Sequence, residues 1–388
     1  MAFSFITLPL NPTKKLAVMS QFEPSTSPVR NRNSVRPNLV VRPIHPDDAT
    51  DIYAIISDPK VAVGADWIPV KEYLQIKEWA ANPNTEQHRL VAEMNGTVVG
   101  VGWLIQKSRP RINHIGQTEL IVRPDHWGQR IGTSLAIAIL DLADKWLNLK
   151  RVEASVVSNN ARAIRMLQNL GFDVEGTRRA SLYGDGQWQD ENLLARLRGF
   201  EKRSDSSEAT ELVKQDGPFE KLAIENRYLS VRPIQPDDVS ALYDIFRRPE
   251  VCRTTLQLPS QEIGLTEDRV FNPPAGIHRL VAVVDEQIVG TISLKQRQNP
   301  RRSHSAGLGM MVHPNYWGQG IGTCLMESIL DLADNWLNLK RIDLDVNVDN
   351  SAGIRLYKKF GFVVEGSKRY HIYGDGRWTD SYFMARLK

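Results

Sequence analysis

The segment YWGQGIGT at 316–323 places glycine at every second position, Gly318, Gly320 and Gly322, directly before a stretch with helical periodicity. A strand, glycines and a helix start bring free backbone N–H groups and the positive end of the helix dipole onto one point, which suits a phosphate or another anion. Glycine there lets the main chain approach the anion closely and allows φ > 0. The spacing argues against a dinucleotide site: that asks for GxGxxG directly after a first strand, whereas this GxGxG lies mid-domain with HPNYW before it. A near copy, HWGQRIGT, occupies 126–133, with Arg130 in place of Gly320.

Other residues carry proton or charge chemistry. His304 in PRRSH and His114 in PRINH hold equivalent places and have a pKa suited to a base; structural or substrate-shaping roles remain open for both. Asp345 and His371 are further candidates for accepting a proton, as is a water relay. Arg301 and Arg302 either meet a substrate carboxylate or stand in solvent. Two cysteines, Cys252 and Cys324, form no metal-ligand spacing and no disulfide framework, so no metal cofactor is expected and a reducing, cytoplasmic setting fits.

The elements that must position these groups come in duplicate. Laying Val41 on Val231 aligns VRPIHPDD with VRPIQPDD, and HRLVA at 88–92 with HRLVA at 278–282. Without a gap it also aligns DLADKWLNLKR with DLADNWLNLKR, GFDVEG with GFVVEG, and YGDGQW with YGDGRW. A unit this long is a whole duplicated domain rather than a solenoid repeat. The expected organisation is a disordered tail at 1–37, domains at 38–198 and 228–388, and a polar linker at 199–227. Each domain reads as a short strand and a Pro-Asp-Asp helix start, then a strand hairpin, with AsnGly at 95–96 as its turn in the first copy. A further strand, the glycine loop, a helix, an alternating strand (RIDLDVNV), a second helix from Asn160 or Asn350, and a final hairpin at GlyAspGly complete it. One stripe of the long helix joins Leu135, Ile139, Leu142 and Trp146, matched by Leu325, Ile329, Leu332 and Trp336. The fold class is mixed α/β, with a mostly antiparallel sheet flanked by helices.

Length and composition agree: 388 residues suffice for two domains, and 41% hydrophobic residues is ordinary for globular protein. The net charge of +4 arises in the tail, where Lys14, Lys15, Arg30, Arg32 and Arg36 face only Glu23. The near-neutral body gives no bulk-charge argument for a nucleic-acid or membrane partner, and no uncharged run approaches the ~20 residues of a spanning helix.

VHPNYWGQGIGT before a helix, followed by VDNSAGIRLYKKFGF, resembles the GCN5-related N-acetyltransferase superfamily, and the likeness covers both domains. NPRRSHSAGLGM, DNWLNLKRIDLDVNVDN and RYHIYGDGRWTDSYFMARLK make the second domain similar to bacterial L-amino-acid N-acetyltransferases. The resemblance implies acetyl-CoA as co-substrate. Its pyrophosphate is expected at Gly318, Gln319, Gly320, Ile321, Gly322 and Thr323, and its pantetheine arm along Met310, Met311 and Val312, near Asn350. A neutral amine then attacks the thioester while a main-chain N–H holds the oxyanion. Tyr357 matches the superfamily tyrosine beside the thiol; read alone it is equally a helix-packing residue. Asn350 is a helix N-cap or a cofactor neighbour, and the two roles are compatible. Asn347 either orients the cofactor in catalysis or satisfies backbone groups.

In the first domain Gly320, Tyr357 and Asn347 become Arg130, Leu167 and Val157, while Glu119 stands where the second has Gly309. A non-glycine residue at φ > 0 costs about 1–2 kcal/mol, and leucine has no proton to give. In relatives a glutamate near Glu119 serves as base through water. The expectation is an N-acetyltransferase working in 228–388 on a small-molecule primary amine such as a free amino acid. Residues 38–198 would be a degenerate partner, forming an intramolecular pseudo-dimer or part of a homodimer. A protein N-terminus as acceptor and a non-catalytic acyl-CoA sensor are the competing readings.

Overall fold

The computed structural model describes residues 39–82, 86–200 and 228–388. The expected tail, and the linker from residue 201 onward, lie outside them. The first half runs β1 (Leu39–Pro43), α1 (Ala49–Ile56), α2 (Pro59–Val63), α3 (Tyr73–Ala81), β2 (Gln87–Met94), β3 (Thr97–Gln106) and β4 (Ile115–Val122). It continues with α4 (Ile131–Lys145), β5 (Arg151–Val157), α5 (Ala161–Asn169), β6 (Asp173–Gly184) and β7 (Gln187–Leu197). The second half repeats the order: β8 (Leu229–Pro233), α6 (Val239–Arg247), α7 (Pro249–Thr254), α8 (Ile263–Phe271), β9 (Ile277–Val284), β10 (Gln287–Gln296) and β11 (Ser305–Val312). Then come α9 (Ile321–Asp331), β12 (Arg341–Asn347), α10 (Ser351–Lys359), β13 (Val363–Gly374) and β14 (Arg377–Leu387).

Alternation along the strands sends successive side chains to opposite faces, and helices cover both. In the second half Val281 and Met311 pack with Leu242, Ile245 and Phe246 of α6. Ala282, Ile292 and Met310 pack with Leu325, Met326 and Ile329 of α9. Asn95 and Gly96 both take positive φ in the first hairpin turn, as do Asp185 with Gly186 and Asp375 with Gly376 in the last ones. The long helix departs from expectation at its end. α4 stops at Lys145, and the helix in the second half finishes in a wider turn at Leu332–Trp336. Trp146 and Trp336 consequently leave the core stripe and are 69% and 78% exposed. Among the described residues no helix is long and apolar enough to cross a membrane.

The strands form one sheet in the order β1-β2-β3-β4-β5-β7-β6-β13-β14-β12-β11-β10-β9-β8. Pairing is antiparallel except for β4 with β5 and β11 with β12. The halves join where Gly176 on β6 meets Gly366 on β13. A Cβ at Gly366 would stand 2.4 Å from the Glu175 carbonyl oxygen, so both strands need glycine at the crossing. Buried arginines brace it: Arg341 donates to Glu365 at 2.6 Å and to the Arg179 carbonyl at 2.6 Å, and Arg151 donates to Glu175 and to the Arg369 carbonyl at 2.9 Å. Breaking one partner of such a buried pair typically costs about 3–5 kcal/mol.

Candidate active site

The glycine loop is shaped by its side-chain ties. Trp317 donates its indole N–H to the Val312 carbonyl at 2.8 Å, and Gln319 donates to the Asn315 carbonyl at 2.8 Å. Gly318 and Gly320 hold φ of 75° and 83°, and a Cβ at either would meet only open space. Helix α9 therefore starts at Ile321 with no side-chain cap, its first N–H groups turned to that opening. Gly322 differs from expectation: it lies in the helix, and a Cβ there would meet Leu356 at 2.9 Å, so this glycine serves the packing of α10 on α9. Arg130 adopts the left-handed conformation at φ 64° that glycine holds in the second half. Beside it a groove of about 440 Å³ is lined by Arg130, Arg162 and Arg165.

Next to the loop the sheet opens. Strands β11 and β12 pair at Ser305, Ala306 and Gly307, ending at the Gly307–Asp343 register, and beyond it they part. The Ser305 carbonyl accepts from Arg297 and the His313 N–H donates to Val289, so odd-numbered residues of β11 bond toward β10. By alternation Met310 and Val312 turn their main-chain groups into the fork. The first half forks at the same place, after Gln117–Glu153.

Helix α10 begins after the fork. Asn350 caps it, its Oδ1 accepting from the Gly353 N–H at 3.0 Å. Tyr357 is buried in the core of the second half. Its hydroxyl has no hydrogen-bond partner among the described residues. Burial pushes the hydroxyl up to about 12. Leu167 fills the same place in the first half and is likewise buried. The buried Asn347 amide donates to the Arg253 carbonyl at 2.9 Å, tying the end of β12 to α7; Val157, its counterpart, has no such group.

The remaining candidates sort by their partners. His304 donates Nε2–H to the Ala180 carbonyl at 3.0 Å against Trp188, and His114 does the same to Tyr370 at 3.1 Å against Trp378. Burial lowers both pKa values, and both rings are committed to the contact between halves rather than to base chemistry. His371 bonds Ser381 at 2.6 Å and is driven down to about 3 by burial and the Lys368 charge, which leaves it neutral and too weak a base. Burial opposes ionisation of Asp345, but Lys368 at 2.7 Å outweighs it and holds the carboxyl below its usual value. Glu119 is pushed up to about 7 by burial and by Asp66.

Arg301 and Arg302 face neither solvent nor open site. Arg301 is buried and donates to Ala62 at 2.7 Å and to Ala65, carbonyls at the end of α2 in the other half, and to Gln189 at 2.8 Å. Arg302 grips Glu191 through two bonds of 2.7 Å. Sequence reasoning missed Arg111, the repeat mate of Arg301, which caps the Cys252 and Thr255 carbonyls at the end of α7. A cation on the exposed carbonyls of a helix C-terminus is electrostatically favourable. PRINH and PRRSH both carry arginine at their second position, but nothing local in either motif signals what it caps.

The model of the Acetyltransferase (GNAT) family matches residues 239–362, and that of an Acetyltransferase (GNAT) domain matches residues 38–173. The L-amino acid N-acetyltransferase AaaT of Escherichia coli (strain K12) is 37% identical over 158 residues, which is 41% of this chain and 97% of the relative. The spermidine N(1)-acetyltransferase of the same organism is 23% identical over 160 residues, 40% of this chain and 84% of the relative. A solved GNAT-family acetyltransferase from Streptococcus pneumoniae is 25% identical, with 41% of this chain and 99% of that one covered and a TM-score of 0.38. With two matching domains, each holding the glycine loop, the forked strands and the following helix, the chain belongs to the GNAT family and is an N-acetyltransferase.

Proposed function

We propose that residues 228–388 hold the working site of an acetyl-CoA-dependent enzyme that acetylates a primary amine, a free amino acid or a related small molecule. Residues 38–198 are an altered copy that shapes this site. The unpartnered Tyr357 hydroxyl carries the reading, because the first half has only Leu167 at that place. Acetyl-CoA, when bound, supplies the thioester-activated acetyl group. The N–H groups of Ile321, Gly322 and Thr323 hold the pyrophosphate, with no Cβ on Gly318 or Gly320 to obstruct it. Main-chain groups of Met310 and Val312 bond the pantetheine arm and hold charge developing on the carbonyl oxygen. As the C–N bond forms the C–S bond breaks, and the proton shed by the amine nitrogen passes through water to the departing sulfur, toward which Tyr357 donates a hydrogen bond. With its pKa raised to about 12, it keeps its own proton against a thiolate of ordinary pKa about 8.5. His304 and His371 are held by the Ala180 carbonyl and Ser381 rather than free to act as base, so the amine reaches the fork unprotonated. Asn347 positions α7 rather than touching the reacting atoms.

Changing Gly320 to Arg in the full chain tests this. The strain of about 1–2 kcal/mol and a side chain beside the N–H groups should raise KM for acetyl-CoA about ten-fold or more. An unchanged KM would remove the loop of the second half from its assigned role.

A further inference from the structure

Resting on the reading of the second half as the working site, its acceptor class is legible in a cavity that both halves build. The cavity, about 210 Å³, lies where β11 and β12 part and is lined by Gly307, Leu308, Asp343 and Asp345, with three guanidinium groups, Arg297, Arg341 and Arg178. The last belongs to β6 of the first half. It is below the ~300–1,000 Å³ of drug-sized sites, so it suits a small acceptor rather than a folded peptide.

Its charges can be paired off. Arg297 donates to both oxygens of Asp343 at 2.8 and 3.0 Å, Arg341 is held by Glu365, and Asp345 is held by Lys368. Arg178 makes no hydrogen bond or close ion pair among the described residues; its charge acts at longer range on Asp345 and Glu191, which Lys368 and Arg302 already hold, so one positive charge is left over. The repeat explains why. Lys368 is the repeat mate of Arg178 and pairs with Asp345 of its own half, but the mate of Asp345 is Ser155, which carries no charge. The first half has lost the carboxylate that would have held Arg178, and the guanidinium lines the cavity of the other half instead.

We propose that Arg178 recognises the carboxylate of the acceptor, so that the substrate is an amino acid whose amine points into the fork between Met310 and the parted end of β12. A guanidinium fork matches a carboxylate in two parallel hydrogen bonds, and the surplus positive charge repels a polyamine.

The test compares a panel of amino acids with their carboxamides and with spermidine, using thiol release by the full chain and calorimetric binding. In the wild type, an amino acid is preferred over its amide. Arg178→Gln lowers the amino-acid-to-amide ratio of kcat/KM, and of binding affinity, by about 10–100-fold, the range of a hydrogen bond to a charged group. Arg178→Lys, which retains charge without the fork, gives a smaller drop. A ratio unmoved by Arg178→Gln, with the thermal transition of the variant intact, overturns the proposal, as does a wild-type preference for spermidine. The parent reading fails separately, if Gly320→Arg leaves the acetyl-CoA KM unchanged; calorimetric discrimination between acid and amide still decides the role of Arg178 in that event.

Discussion

Tyr357 and Leu167 occupy one place in the repeat and differ in chemistry by a phenol. Burying a phenol in an apolar core is less favourable than burying leucine, and leucine is what the first half holds there. The second half retains the hydroxyl, as expected where a ligand completes its bonding. Burial raises the Tyr357 pKa to about 12, so the protonated form persists far into alkaline solution. His371, held down to about 3, and His304, also lowered, are neutral at working pH. The pH profile of kcat/KM should therefore rise with the free-base fraction of the amine. It should show no histidine inflection near 6.5 and no fall between pH 9 and about 10.5. A descending limb near pH 10 would place Tyr357 in a more solvated setting than the one described.

Two elements set the geometry of the fork, the loop that starts α9 and the short helix α7. Arg111 caps the carbonyls at the end of α7, and Asn347 bonds the Arg253 carbonyl in the same turn. Replacing Arg111 by Met would leave buried carbonyls unpaired at about 1–3 kcal/mol each and loosen α7. The expected outcome is a KM for the amine raised several-fold and a lowered melting temperature, with a smaller change in KM for acetyl-CoA; equal changes in both KM values would contradict it. The loop was legible in sequence because glycine spacing reports backbone conformation locally, and Arg130 indeed sits at φ 64°. The arginine caps were not, since each plugs carbonyls that fold in from the other half. Trp146 and Trp336 misled for a related reason: a helical stripe fixes a face only while the helix keeps its period, and both leave it at a terminus.

At the scale of the whole molecule the duplicated order was readable because the repeats align without a gap, but the joint between halves was not. Its centre is a glycine pair, Gly176 and Gly366, whose small size gives no sequence signal of contact. Its flanks are residues that read as surface or catalytic groups, Arg301 and His304 among them. Through the joint the first half reaches the second: Arg111 bonds carbonyls at the end of α7, and Arg178 lines the cavity at the fork. The central claim, that catalysis belongs to 228–388, is met most directly by thiol release from the full chain carrying Tyr357→Leu. The first half already holds leucine at that place in a packed core, so the fold tolerates it. The account predicts a fall in kcat of about 10²-fold, the lower range for loss of a hydrogen-bond donor aimed at developing charge. Turnover equal to that of the unaltered chain would contradict it and move the activity to residues 38–198.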